Sequence, residues 1–391
     1  MSVPTTVRRL LVGASCGVLL TTLAATAPVQ AAPPDTLAAS VTNELLRRAD
    51  TLPGFTQATA QDTRVTVNRS QGRWAFGTAV LIAPRVEGIE PRDWLFLAER
   101  RAAGWRLAFD GEQGFGTLSA RAPLISARER QIFASHDGQV DTQANGDYRT
   151  GMRLPWAVGQ SWTLRGGPHA WDAGTGPWSS LDLVGGDQIV RAARAGTAYT
   201  TCTGRILVYH DRGYTTRYYH LWNYGQFDGT PVAEGARLGD TGTETGCGGS
   251  ASSRHVHFSL LQNGNYVAVS PHIIGKWVPM NGGAQYGGYA LHGSTRVDVG
   301  GLLYNYGALG FNQGIVDVSG TLNKRSGPGT SYPIVGTVAD GTTVTITCSS
   351  NGTSHSGRWW TTSRWEKLSD GTWVSGAYVY TGLNAPVSGA C

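Results

Sequence analysis

A mainly β architecture is predicted for this chain on three observations. Its 391 residues include 54 glycines. Leucine-rich heptads are few, and short runs rich in Thr, Val, Tyr and Trp recur between Gly-containing turns. With 40% hydrophobic residues and 13 tryptophans, the chain can bury enough apolar surface to offset the entropy of ordering it, which excludes disorder as the dominant state. The length suits two or three domains.

Taken in order, residues 1–31 read as a secretory signal peptide: Arg8-Arg9 precede an apolar stretch from Leu10 to about Ala24, and small residues surround Ala31. The apolar run is too short for a good membrane span and no later segment supplies one, so no transmembrane segment is expected. Paired arginines also fit twin-arginine export, although Val7 stands where a polar neighbour is usual; otherwise the general secretory route applies. Gly13-Ala14-Ser15-Cys16-Gly17 matches the nucleophile elbow of serine hydrolases, but a leader offers no strand-to-helix turn to present that serine. Residues 32–145 open with a helix around Thr42–Arg48 and continue with strand-like pieces at Thr63–Val67 and Asp93–Ala98, an α+β segment. Its His136-Asp137 pair reads as a solvated turn.

Residues 146–309 hold most of the histidines. Strands are expected at Arg205–His210, Thr215–Leu221 and Arg254–Leu260, the first two joined by a Gly213-containing hairpin turn, which gives an antiparallel sheet. Residues 315–391 carry strands at Val335–Val338, Thr343–Thr347, Arg358–Trp360 and Thr372–Val374, punctuated by Asp340-Gly341, Asn351-Gly352 and Asp370-Gly371. This spacing suits a small all-β barrel.

The formal charge of +5 is spread thinly: two charges belong to the leader, residues 32–150 balance 14 arginines with 14 acids, and the remainder has an excess of three. No basic stripe forms, so nucleic acid is excluded as a partner.

The chemistry lies in the middle region. His255-Val256-His257 falls in a strand pattern, so both imidazoles face one side, roughly 6.6 Å apart along the strand, while Val256 faces the core. Upstream, Arg165-Gly166-Gly167-Pro168-His169 is a turn-rich entry leading to Ser179-Ser180-Leu181-Asp182. Histidine, carboxylate and histidine are ligand types for a zinc ion that keeps its fourth position open. Asp172 and Asp187 compete with Asp182 for the carboxylate role, but the first is too near His169 in sequence and the second follows Gly185-Gly186 in a loop. His220 ends an aromatic strand and adds another polar group. No H-E-x-x-H occurs, which leaves histidine as the side chain able to exchange protons near neutrality.

His169, Asp182, His220 and His255-Val256-His257, with Ser-Ser-Leu-Asp and Tyr-Tyr-His-Leu around two of them, resemble the beta-lytic and lysostaphin-type zinc metalloendopeptidases over about residues 150–309. The resemblance implies that His169, Asp182 and His257 bind one Zn²⁺, that His220 and His255 act on the substrate, and that peptide bonds of bacterial peptidoglycan, often beside glycine, are cut in a narrow groove. His255 is expected to take the proton of the attacking water and His220 to donate to the oxyanion, or the reverse. His210, His272 and His292 are read as structural, the last in a tail-like Gly-rich stretch. Trp171, Trp178, Tyr218, Trp222 and Tyr224 serve as packing or as groove lining.

Thr321 to Tyr332 and Thr372 to Val379 are similar to bacterial SH3-like wall-binding domains, which implies a tether that raises the local concentration of target bonds. Four cysteines remain after the leader. Cys202 with Cys247 and Cys348 with Cys391 each fall within one domain, and each closed loop is worth roughly 4 kcal/mol. The segment 32–145 fits a propeptide that covers the groove. A monomer is expected, secreted to the extracellular space; the rival classes are a zinc peptidase of general extracellular proteins and a non-catalytic wall-binding regulator.

Overall fold

The computed structural model describes residues 36–136, 146–171 and 176–391; the leader, Asp137 and Asp172 lie outside them. Strands β1 (Thr63–Gln71), β2 (Trp74–Leu81), β3 (Arg92–Arg101) and β4 (Gly104–Phe109) form an antiparallel meander in sequence order. Helix α1 (Leu37–Ala49) starts where the Thr36 hydroxyl accepts from Ala39 N at 3.2 Å, which satisfies one of the unpaired amides of the first turn. Val41, Leu45 and Ala49, spaced four apart on one helix face, pack on Ala75, Ala79, Leu81 and Phe96. The other face of the meander carries Trp74, Phe76, Leu95 and Leu97. It packs under α2 (Phe115–Ser119) and α3 (Ala127–His136) and against Tyr199, Leu207 and Tyr209 of the next module. All eight residues of β2 are therefore buried, and its sequence lacks the apolar-polar alternation of a half-exposed strand.

The central sheet contains β5 (Ser161–His169), β6 (Ser180–Val184), β7 (Gly196–Cys202), β8 (Arg205–Tyr209), β9 (Tyr214–Tyr219), β10 (Asp228–Val232), β11 (Val256–Gln262) and β12 (Leu302–Tyr304), with Asn265–Tyr266 beside β11. Their order is β10-β7-β8-β9-β11-β6-β5-β12, and β7, β8, β9, β11, β6 and β5 pair antiparallel. Alternation along β8 sends Ile206 and Val208 into the central core with Leu183, Tyr218, Val256 and Phe258, and Leu207 and Tyr209 into the core shared with the meander. Between the two modules Asp93 is buried against two buried arginines, Arg205 at 2.7 Å and Arg217 at 3.1 Å. The Thr201 hydroxyl donates to the same carboxylate at 2.5 Å.

In the C-terminal region β13 (Gln313–Val316), β14 (Thr321–Arg325), β15 (Ile334–Ala339), β16 (Thr343–Ser356), β17 (Thr361–Leu368), β18 (Trp373–Ser375) and β19 (Val379–Tyr380) form one sheet in the order β15-β14-β18-β17-β16-β13-β19. Its core is Val316, Leu322, Val344, Ile346, Leu368, Val374 and Val379. Two expectations change here. Asn351-Gly352 lies inside β16 at an irregularity of register rather than at a turn. A Cβ on Gly352 would meet Pro328 O at 2.1 Å, so the glycine permits a close backbone approach. Arg358-Trp359-Trp360 forms the link between β16 and β17 instead of a strand; Trp359 donates from Nε1 to Asp317 at 2.8 Å and stacks on Tyr380. Disulfides join Cys202 to Cys247 and Cys348 to Cys391. Among the described residues no helix is long and apolar enough to cross a membrane.

Candidate metal centre

Three neighbouring strands bring the polar side chains together. β5 ends at His169, and β6 pairs with it so that Gly166 stands opposite Asp182. β11 runs between β6 and β9, with His257 opposite both Asp182 and Tyr219. Asp182 Oδ1 lies 3.7 Å from His169 Nε2, 3.7 Å from His257 Nδ1 and 3.6 Å from His255 Nε2. Gly166 makes room for this carboxylate, since a Cβ there would stand 2.7 Å from Asp182 Oδ2. His255 immediately precedes β11 and is held by a backbone bridge to Gly242, so the alternation that sends Val256 into the core turns both of its neighbours to one side. His220 follows β9 in a left-handed conformation, φ 66°, which turns its ring to within 4.8 Å of that of His255. His169, Asp182 and His257 form one group of potential ligand atoms, and His220, His255 and His257 another, the atoms of each lying within 4.8 Å of one another.

Hydrogen bonds set the state of each ring. Nδ1 of His169 lies 2.7 Å from Gly167 O, Nδ1 of His255 is 2.7 Å from Ser253 O, and Nδ1 of His220 is 2.9 Å from Glu244 O. A carbonyl oxygen only accepts, so each Nδ1 carries the proton and each neutral ring offers a bare Nε2 to the cleft. Burial pushes His220 down to about 3, helped by the neighbouring His255, and also lowers His169, His255 and His257, so the uncharged rings prevail at neutral pH. Burial raises Asp182. The cleft is a cavity of about 200 Å³ lined by Glu87, Glu90, Arg165, Asp182, His255 and Tyr286 among others. A larger hollow of about 470 Å³ near Arg64 and Phe227 touches none of the histidines and has no such chemistry.

The other histidines are bonded into the fold. His210 is fixed at both nitrogens, by Ala195 O at 3.0 Å and the Thr216 hydroxyl at 2.8 Å. His272 bonds Ala268 O, and His292 bonds Lys276 O from a buried strand, Tyr289–His292, rather than from a tail. His136 is buried at the end of α3 against Tyr214 O rather than solvated in a turn. Asp187 sits in an exposed loop, paired with Arg191 at 3.6 Å. Of the aromatic residues, Trp171 is buried edge-on to His257, at 4.6 Å between ring centres, Tyr218 belongs to the core, and Trp222 is exposed. Two residues of the cleft escaped the sequence reading: Tyr286, stacked on His169 at 4.0 Å, and Glu90, whose Oε1 is 3.9 Å from His220 Nε2.

Burial holds His210 at about 3 and His272 at about 4, below the ordinary 6.5. Below pH 6.5 the unfolded chain takes up protons at these rings that the folded chain refuses. Stability is therefore full above that pH and falls as pH drops, by up to about 1.4 kcal/mol per pH unit for each ring, until about 4 for His272 and about 3 for His210. Urea unfolding midpoints that do not fall between pH 7 and pH 5 would contradict this.

The family model described as Peptidase family M23 matches residues 178–269, a span that contains Asp182, His220, His255 and His257 but not His169. The beta-lytic metalloendopeptidase of Lysobacter enzymogenes is 30% identical over 128 residues, which cover 29% of this chain and 71% of that protein.

The chain belongs to peptidase family M23.

Protease LasA of Pseudomonas aeruginosa is 32% identical to this M23 peptidase over 156 residues. The alignment covers 37% of this chain, which spans about a third of that relative's length (34%). The solved M23 metalloprotease pseudoalterin, from the deep sea, shares 31% identity over 39% of this chain and 97% of its own, with a TM-score of 0.37. Residues 320–380 match a bacterial SH3 domain. M23 peptidases depend on a metal, and the residues of the cleft fit one. His169 Nε2 and Asp182 Oδ1 are buried, have no hydrogen-bond partner and lie 3.7 Å apart. A backbone carbonyl also fixes the second nitrogen of His169, the arrangement that orients a metal-ligating imidazole.

Proposed function

We propose that this chain is a secreted zinc metalloendopeptidase that hydrolyses peptide bonds of bacterial peptidoglycan, in glycine-containing stem peptides or cross-bridges. The observation that carries the reading is the convergence of His169, Asp182 and His257 beside two further imidazoles, each with Nε2 free of its proton, in one buried cleft. His169, Asp182 and His257 would hold the zinc, which when bound supplies Lewis acidity toward the scissile carbonyl and acidifies water.

The chain's own residues do the rest. His255 Nε2 accepts the proton of the attacking water. The Ser253 carbonyl, which accepts a hydrogen bond from Nδ1–H, stabilises the imidazolium so formed. His220, held through Glu244 O, carries its proton on Nδ1 in the resting state; its ring is 4.8 Å from that of His255, and once the proton taken from the water has passed from His255 to its Nε2, it donates to the oxyanion and then delivers that proton to the leaving amine. Burial among Trp171, Tyr219 and Tyr286 limits water at the reacting atoms and strengthens these interactions. The narrow cavity suits a peptide with no side chain to accommodate. In this reading residues 1–31 are the leader, 32–145 a propeptide, 146–309 the catalyst and 315–391 a wall-binding SH3-like domain, the whole acting as a monomer.

The test is incubation of the purified chain, intact and after limited proteolysis, with glycine-bridged peptidoglycan and with casein, before and after zinc chelation. Wall solubilisation that stops on chelation and returns with Zn²⁺ is expected. Lysis that survives chelation would sink the mechanism, and casein cleavage without lysis would move the substrate to general proteins.

A further inference from the structure

The C-terminal region has a polar cavity of its own. Residues 381–391 lie beyond the span that matches a bacterial SH3 domain and are laced onto β16. Ser388 Oγ donates to Ile346 O at 2.9 Å, Ser349 N to Gly389 O at 3.0 Å and Cys391 N back to Ser349 O at 3.0 Å, and the Cys348–Cys391 disulfide closes the same join. Between this segment and the β16–β17 hairpin is a cavity of about 590 Å³, lined by Ser350, Asn351, Thr362 and Arg364 on one side and by Asn384 and Pro386 on the other. Arg364 is only 7% exposed. Its Nε donates to Glu366 at 2.6 Å, and Glu366, fully buried, also accepts from the Ser349 hydroxyl at 2.5 Å. Nη1 reaches Asn384 Oδ1 only at 3.4 Å, and Nη2 has no hydrogen-bond partner. A buried donor left without a partner is costly, a penalty that a ligand oxygen would lift.

The lining decides what such a ligand must be. Glu366 already neutralises Arg364, and no other described side chain on the cavity is charged, so a neutral molecule is favoured over an ion. The amides of Asn351 and Asn384 and the hydroxyls of Ser350 and Thr362 can each donate and accept. The main chain, by contrast, is spent. Ser349, Ser350 and Asn351 pair with Glu366, Trp365 and Arg364 across the hairpin, and Ser349 pairs with the 389–391 segment on its other side. An extended peptide therefore finds no free strand edge to join. A compact neutral ligand with several hydroxyl groups and a carbonyl meets these conditions. We propose that the cavity is a saccharide subsite for a neutral N-acetylated amino sugar, whose acetamido carbonyl accepts from Arg364 while its hydroxyls exchange hydrogen bonds with Asn351, Thr362 and Asn384. The inference rests on the reading of residues 315–391 as a wall-binding domain and names the ligand of that domain. Asn384 and Pro386 stand outside the matched SH3 span, so the subsite is built by this chain's own C-terminal segment. No aromatic ring lines the cavity, so hydrogen bonds alone hold the sugar and the affinity is modest.

The test titrates the full chain by calorimetry with di-N-acetylchitobiose, with cellobiose, which has the hydroxyls and lacks the acetamido groups, and with triglycine. Saturable binding of the first is expected, at least about tenfold tighter than either of the others. Asn384→Ala, at an exposed position, should weaken it about three- to tenfold through the loss of one hydrogen-bonding partner. Arg364→Gln combined with Glu366→Gln removes both buried charges together, so that neither is stranded, and should weaken it at least about tenfold; Asn384→Ala carries the test if this double variant does not fold. Tyr332→Ala alters an exposed residue of the same region that does not line the cavity and should change nothing. Equal affinity for the two disaccharides, binding of triglycine alone, no binding at all, or a loss caused by Tyr332→Ala and not by Asn384→Ala would each overturn the proposal. Cosedimentation with insoluble peptidoglycan and with chitin identifies the source of the sugar. A chain that binds the disaccharide and pellets with peptidoglycan keeps both readings; one that binds the disaccharide and pellets only with chitin, or with neither, keeps the subsite and loses the wall-binding reading.

Discussion

Exchange of His257 for alanine is expected to lower kcat/KM on peptidoglycan at least about a thousandfold, the effect of losing several kcal/mol of stabilisation of developing charge. Bound zinc should fall below one equivalent in equilibrium dialysis. His257 stands opposite Asp182 in the ladder between β11 and β6, so the substitution removes one corner of the group while the backbone that places the other two stays paired. Asp182→Asn should behave alike, because the amide keeps the shape and loses the charge. His210→Gln is the control: that ring is fixed by Ala195 and Thr216, and the variant should bind zinc as the parent does. Full activity in His257→Ala would dismiss the assignment of the metal ligands.

The second large effect concerns stability. Asp93→Ala should destabilise the chain by about 3–5 kcal/mol, since it takes the ion-pair carboxylate from two buried guanidinium groups and leaves them only neutral partners, the carbonyls of Pro91 and residue 93 and the Tyr266 hydroxyl. Arg205 is fully buried and Arg217 nearly so. Removing a surface carboxylate such as Asp298, which pairs with the exposed Arg296, should cost less than about 1 kcal/mol. Urea unfolding of the two variants, with equal slopes required for the comparison, decides the matter. A loss below about 1 kcal/mol for Asp93→Ala would mean that water reaches the pair.

The sequence displayed those parts of the molecule that local rules determine. His255-Val256-His257 was legible because strand alternation alone puts both rings on one side, whereas Asp182 was assigned through the family resemblance, since no local rule sets the register that places it opposite His257. Hairpin chemistry at Asp211–Gly213 gave the turn between β8 and β9. What stayed hidden depends on contacts far apart in the chain. Glu90 reaches His220 across 130 positions with no motif around it, and Tyr286 lies on His169 from a Gly-rich loop that carries no periodic signal. β2 was illegible for a different reason, since a strand covered on both faces loses its alternation. Asn351-Gly352 resembles a hairpin turn, yet the approach of Pro328 makes it an irregularity within a longer strand. His292 likewise belongs to a buried strand because Lys276 O and the ring of Tyr306 receive it, neither being near in sequence.

The core that Tyr199, Leu207 and Tyr209 share with the meander bears on how such a protein would be switched on. Cutting the backbone between the two modules breaks one covalent bond and leaves every apolar contact and both Asp93 ion pairs intact, so the fragments remain associated. If residues 32–145 act as the propeptide proposed above, activation would be governed by dissociation, which a buried interface of this composition slows and which is not reversed once the fragments are diluted. For a chain that leaves its cell, the delay before lysis would scale with time and distance from the producer, so a neighbouring wall is exposed to the open cleft before the producer's own.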